Sequence, residues 1–161
     1  MGSPRAAINH GRMERGQVAI EFLFTVLFVM FFVLGFLELV MLMFSYNVVA
    51  DGAKEGVRFA LVHGTLSTSC NGPGDPKDAT ITCDNTKAGV KTAVTTYANH
   101  SGQSITNGQI TVTYSNPNGG SACSTPGCAV EVQVAHLYRP FFGLGWPTVT
   151  MHATSEGVVT F

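Results

Sequence analysis

Charged residues are scarce in this sequence, and the motifs of common enzyme classes are absent. Only 12% of the 161 residues are charged, and the formal net charge is −1. Such a chain offers no basic field to a polyanion, so its charge gives no support for nucleic-acid binding. It contains no G-x-S-x-G, P-loop, H-E-x-x-H or dinucleotide fingerprint, and its histidines are scattered without ligand spacing. We therefore predict no enzyme, no cofactor and no metal site.

Charge is almost missing from one long stretch near the N-terminus. Residues 18–44 form a run of 27 residues in which only Glu21 and Glu38 can ionise. A helix of this length is about 40 Å long, whereas the hydrocarbon of a bilayer is about 30 Å thick. A helix buried inside a large soluble protein would need more surrounding chain than this sequence provides. The run therefore predicts a transmembrane helix.

Proline is absent between Gln17 and His63, so we expect one helix over residues 17–63. Beyond residue 44 this helix is amphipathic, and small residues share one arc of it: Gly52, Ala53, Gly56 and Ala60. Each glycine lowers helix propensity by about 1 kcal/mol, so another element must approach closely here. We favour the sheet of the chain's own domain, because an amphipathic helix usually serves its own domain; a neighbouring helix is the alternative.

The residues on either side of the apolar run indicate its orientation. Residues 1–16 carry three arginines against one acid, and basic residues before a first membrane segment favour a cytoplasmic N-terminus. All four cysteines follow the run, as expected of a domain in an oxidising compartment. The simplest pairing joins Cys70 to Cys83 and Cys123 to Cys128, although four cysteines allow three pairings. A zinc site is disfavoured, because no C-x-x-C occurs.

Residues 64–161 predict a small extracytoplasmic α+β domain, with a short helix against an antiparallel sheet. Apolar residues at helical spacing indicate the helix: Val90, Ala93, Val94 and Tyr97. Alternating apolar residues indicate two strands: Ile110, Val112 and Tyr114 in the first, and Val130, Val132 and Val134 in the second. A last strand, or a pair of strands, is expected over residues 148–154 and 158–161.

Aromatic residues are concentrated in the segment RPFFGLGWP at residues 139–147, where glycine and proline break any regular structure. One interpretation is a packed loop between two strands. The other is an exposed contact surface for a membrane interface or a partner, formed by Phe141, Phe142 and Trp146. The sequence leaves both interpretations open.

The string RGQVAIEF at residues 15–22 resembles the processing site of type IV prepilins. It has a basic leader, a glycine before the cut, and an acid at the fifth position of the mature chain. Further matching strings are GFLE at 35–38, YNVVADGAKEGVRFA at 46–60 and MHATSEG at 151–157. Together they make the chain resemble the TadE-like pseudopilins of the tight-adherence, or Flp-type, pilus system.

That resemblance implies a pilin-like subunit of a cell-surface pilus or secretion filament. A prepilin peptidase would remove residues 1–16 by cutting between Gly16 and Gln17. Glu21 would then meet the N-terminal amine of an adjacent subunit, and Phe22 and Glu38 would also take part in assembly. The expected partners are other pilin subunits, the prepilin peptidase, an inner-membrane assembly platform, and membrane lipid before assembly.

The two membrane acids and the leader each have an alternative interpretation. Glu21 could lie close enough to the cytoplasmic headgroups to reach water without a partner. Glu38 lies about 25 Å further along the helix and on a different face, so it could reach the outer headgroups or pair with another subunit or component. The chain could also keep its leader and act as a signal-anchored assembly or binding factor.

Overall fold

A computed structural model describes residues 10–75, 78–143 and 145–161, with side chains from residue 16 onward. Its elements are helix α1 (His10–Val62), helix α2 (Ala88–His100), a 3₁₀ turn (Asn107–Gln109), and strands β1 (Ile110–Ser115), β2 (Ala129–Tyr138) and β3 (Val149–Val158). The three strands form one antiparallel sheet in the order β1-β2-β3. The predicted α+β class, a long apolar helix followed by a short helix and an antiparallel sheet, is confirmed. The chain divides into two compact units, Met1–Val40 and Met41–Phe161.

The described part of the first unit is helix, and its surface is apolar. Nearly every large side chain between Val18 and Val40 is exposed, and Phe22 is exposed over 70% of its surface. Helix α1 is long and apolar enough from Gly16 to cross a membrane. Aromatic and aliphatic surface of this extent is unfavourable in water, so it needs lipid or other apolar helices around it.

The second unit has a core between the last turns of α1, helix α2 and one face of the sheet. Strand β1 alternates regularly between buried and exposed residues, and β2 buries Val130, Val132 and Val134 on the same face. This alternation puts one face of the sheet on the core, as the sequence pattern predicts. The buried residues of α2 are Val90, Val94 and Ala98, at helical spacing.

The core packs closely against the arc of small residues on α1. Ala53 and Ala60 are fully buried. A Cβ atom placed on Gly56 would lie 2.6 Å from Val94 Cγ2 of α2 and 3.2 Å from Val132 Cγ1 of β2. The chain's own helix and sheet therefore occupy this face, and only a glycine leaves α2 room at position 56.

Three boundaries differ from the sequence-based expectations. Helix α1 begins at His10, inside the expected leader, and ends at Val62, one residue early. The C-terminal segment expected to form one strand or a pair over residues 148–154 and 158–161 forms the single strand β3, which ends at Val158. Beyond it the backbone N–H groups of Thr160 and Phe161 donate to the carbonyl of Leu61 at the end of α1. The end of the chain thus bonds to α1 through Thr160 and Phe161, while Val159 donates its N–H to the carbonyl of Cys128, just before β2.

Two disulfides close the irregular connections. Cys70 pairs with Cys83 in the connection between α1 and α2, with Cα atoms 4.8 Å apart. Cys123 pairs with Cys128 between β1 and β2, with Cα atoms 5.9 Å apart. This is the simplest of the three possible pairings. The two disulfides restrict two loops that the small hydrophobic core alone could not hold in place.

The tight packing at Gly56 predicts opposite outcomes for two glycine substitutions in the same helix. A Cβ on Gly52 meets Val94 at an ordinary 3.6 Å, so Gly52→Ala gains helix propensity and leaves stability unchanged or raised by up to about 1 kcal/mol. Gly56→Ala gains the same propensity but overlaps Val94, so it lies about 1–3 kcal/mol below Gly52→Ala. Thermal unfolding of the full chain in a mild detergent measures both, and equal stabilities would contradict the packing described here.

Candidate functional site

The expected processing bond lies on an exposed part of helix α1. Gly16 and Gln17 are both exposed, and no atom lies within 4 Å of a Cβ built on Gly16. They share one face of the helix with Glu21, Ile20 and Phe24. A protein that binds this face would therefore contact the bond and the acid together.

Glu21 is exposed and lies one helical turn after Gln17. Within the described residues its carboxylate takes part in no hydrogen bond or ion pair; only its backbone carbonyl is used, by the hydroxyl of Thr25 at 2.9 Å. Its neighbours Phe22 and Phe24 are exposed apolar residues. Glu21 is thus a carboxylate on a lipid-compatible surface, available to a partner outside this chain.

Glu38 is in a different environment. Its side chain is only 4% exposed, and it interacts with a partner inside the chain. It is 17 residues from Glu21, about 25 Å along a helix axis, so the two acids cannot act as a pair within one helix. The structure therefore does not bring together the acids expected to serve assembly.

The charged arc of α1 lies opposite the small residues. Lys54 pairs with Asp51 at 2.9 Å and Arg58 with Glu55 at 2.6 Å, each pair on the surface. Exposed pairs of this kind stabilise the fold by about a few tenths of a kcal/mol each. Their main effect is to keep this side of the helix hydrated.

An apolar groove of about 430 Å³, hereafter the loop groove, lies at the end of the sheet where β2 finishes. Its apolar lining includes Met41 and Phe44 of α1 and Phe141 of the aromatic segment, and Arg139 stands at its side. His136 also lines it; burial lowers the pKa of this imidazole, and its Nδ1 has no hydrogen-bond partner within the described residues. The sequence indicates the aromatic segment but not this groove, because the groove's residues come from three separate parts of the chain.

Hydrogen bonds hold the connection between α1 and α2 in place. The carboxylate of Asp84 accepts from the hydroxyl and N–H of Thr86 and from the N–H of Ala88 at the start of α2. These bonds lower the pKa of Asp84, the Thr86 hydroxyl most of all. Tyr114 donates its hydroxyl to the buried carbonyl of Asn71 at 2.8 Å, and burial raises its pKa to about 12. These groups therefore contribute to the stability of the fold.

Metal-binding geometry does not occur in the described part of the chain. No group of three or more histidine, cysteine, aspartate or glutamate side chains comes together there. All four cysteines are used in disulfides. The features described so far are thus the exposed bond that is expected to be processed, the exposed carboxylate of Glu21 and the apolar loop groove.

Comparison with known proteins finds a family match for the helix that carries the expected processing bond and Glu21. Residues 16–58 match the TadE family model, described as TadE-like protein. Residues 16–58 are TadE-like. The match begins at Gly16 of the expected processing site and ends at Arg58, so it confirms the resemblance over the helix, while residues 59–161 lie outside it. No curated protein and no solved structure matches the chain.

The match relates the N-terminal hydrophobic helix to TadE-like proteins, which belong to a pilus system. A helix able to cross a membrane once, between Gly16 and Val62, fits a single-pass protein of that system.

The hydrogen bonds of Asp84 predict a loss of stability in acid. Because the folded-state pKa is lowered, the stabilisation is complete above the unfolded-state pKa near 4 and is lost as pH falls through the folded-state value. We expect Asp84→Asn to lower the melting temperature of the full chain in an uncharged detergent at pH 7, and to lower it less towards pH 2.

The Thr86 hydroxyl provides the matched control. Thr86→Val removes the largest cause of the pKa shift and should reduce the same pH dependence while leaving the carboxylate in place. A melting-temperature difference between wild type and Asp84→Asn that stays constant from pH 7 to pH 2 would show that the carboxylate charge has no role.

Proposed function

We propose that this TadE-like chain is a pilin-like subunit of a cell-surface pilus or secretion filament. A prepilin peptidase removes residues 1–16 while the chain sits in the cytoplasmic membrane with its C-terminal domain outside. The assembly platform then moves the apolar helix from lipid into a bundle of like helices. The observation that carries the proposal is an exposed apolar helix, matched to the TadE family, whose own domain uses only its last turns.

Apolar contacts alone do not select an arrangement in such a bundle. Lipid tails and neighbouring leucine or phenylalanine side chains solvate the helix about equally well, so moving it from one to the other changes little hydrophobic free energy. Close packing and polar contacts must therefore set the register. On the exposed apolar surface between residues 17 and 37, Glu21 is the ionisable side chain that can do this.

An ionised carboxylate in hydrocarbon is unfavourable by about 3 kcal/mol on insertion scales, so Glu21 gains from meeting a positive charge. Cleavage after Gly16 creates that charge, because it leaves a free amine on Gln17. The amine of one subunit and Glu21 of the next can then neutralise each other inside the bundle, as the family resemblance implies. Only a subunit in the correct axial position satisfies both groups.

Cleavage also changes the position of Glu21 in its own helix. In the full chain Glu21 lies in the twelfth position of α1, far from either end. Once Gln17 is the first residue, Glu21 lies about one turn from a new N-terminus, where unpaired N–H groups and the helix dipole favour a negative charge. Removal of the leader therefore stabilises the ionised acid and supplies its partner in one step.

The proposal predicts that Glu21 controls assembly and not processing. In cells with an active pilus system, Glu21→Gln should be cleaved after Gly16 like the wild type. Its amount in sheared surface filaments should fall about tenfold or more if the ion pair contributes about 1.4 kcal/mol or more. Intact mass reports processing, and immunoblots of sheared and membrane fractions report assembly.

Two variants serve as controls for Glu21→Gln. Glu21→Asp keeps the charge and should restore part of the filament fraction. Glu156→Gln makes the same chemical change at an exposed site on β3 and should leave assembly unchanged. A Glu21→Gln protein that is processed and incorporated as well as the wild type would remove the assembly role of Glu21, and an unprocessed wild type would favour the signal-anchored alternative.

A further inference from the structure

One end of the second unit exposes apolar side chains beside the loop groove. Phe141 is exposed over 74% of its surface and packs edge to face against Phe142, with ring centroids 5.2 Å apart. Leu137 near the end of β2 and Val149 at the start of β3 are also exposed. Tyr138 and Val149 are paired across the sheet, so the chain between them leaves and returns at this same end. Trp146, the protein's single tryptophan, lies three residues from Val149 and therefore close to it.

The position of the groove along α1 fixes its depth relative to a membrane. Met41 and Phe44, which line it, are among the last residues of the apolar run 18–44. About 20 helical residues cross the hydrocarbon, so a run of 27 residues extends past it, and Phe44 is the last residue of the run. A bilayer with its headgroups is about 40–45 Å thick. Phe44, and with it the loop groove, therefore falls at the outer headgroups.

The chemistry of this end fits that depth. Aromatic side chains are favoured at the boundary between hydrocarbon and headgroups. Arg139 is the one charged residue that lines the groove in the described structure, it is exposed, and its guanidinium suits a lipid phosphate. No acidic side chain among the described lining residues would repel that phosphate.

We propose that this exposed apolar end of the domain binds the outer surface of the membrane before assembly. Phe141 and Trp146 enter the headgroup region, and Arg139 contacts lipid phosphates. The domain is thereby held against the bilayer while the chain waits for assembly. The inference rests on the single-pass membrane stage of the proposed function and does not depend on cleavage or on the Glu21 pair.

The opposite end of the domain provides an internal comparison. Phe161 is 58% exposed, and Leu66 and Val158 are exposed near it. Phe161 bonds to Leu61, which lies 17 residues, or about 25 Å, beyond Phe44 along α1. Exposed apolar residues at this end are therefore out of reach of the headgroups and should make no contact with lipid.

Trp146 allows a direct test with the full-length protein. The chain is reconstituted into phosphatidylcholine–phosphatidylglycerol vesicles whose lipids carry bromine at acyl carbons 6 and 7, or no bromine. We expect bromine to quench Trp146 emission by about half, as for a tryptophan at the membrane interface. Phe141→Ser should reduce that quenching, and Arg139→Gln should reduce it more in the mixed anionic vesicles than in pure phosphatidylcholine.

Two variants with the tryptophan at another position distinguish a failure of this inference from a failure of the membrane stage. With Trp146→Phe as background, Phe32→Trp places the probe within the apolar run and should be strongly quenched, whereas Phe161→Trp should be unaffected by bromine. A quenched Phe32→Trp with an unquenched Trp146 would overturn this inference alone. If Phe32→Trp is unquenched as well, the membrane stage of the proposed function falls with it. Shielding of Trp146 only in assembled filaments would assign the surface to a neighbouring subunit and overturn the lipid contact.

Discussion

The close contact of Gly56 with Val94 and Val132 is the constraint on which the rest of the structure depends. A small domain has a small hydrophobic core. Here the last turns of α1 form one of the three sides of that core. The small residues of that side let α2 and β2 approach the backbone closely, so valines can fill the space without a cavity. The two disulfides then hold the polar loops that this core leaves uncovered.

This packing gives the single helix two surfaces with different uses. The arc containing Ala53 and Ala60 is buried against the chain's own domain, so other subunits cannot contact it. The apolar residues from 18 to 37 are exposed and must be covered by something else, first lipid and then, in our proposal, like helices. The TadE-like match from Gly16 to Arg58 includes residues of both surfaces. One helix thus supplies the exposed apolar surface and also one side of the domain's core.

Much of this could be predicted from local patterns, and what could not depends on contacts between distant residues. An apolar run without proline predicts α1, and alternating valines predict β2, because both signals lie within one element. The same local rules left one strand or two open at the C-terminus, where Thr160 and Phe161, beyond the end of β3, bond to Leu61 of α1. They also gave no sign that Glu38 is buried or that His136 joins Met41 in the loop groove, since each depends on the tertiary fold.

In our proposal this chain loses its leader and enters a filament through the exposed part of α1. The decisive measurement is the intact mass and N-terminal sequence of protein from sheared surface filaments and, separately, from membranes. We expect a filament species that begins at Gln17. Full-length protein found only in membranes, in cells whose prepilin peptidase is active, would contradict it.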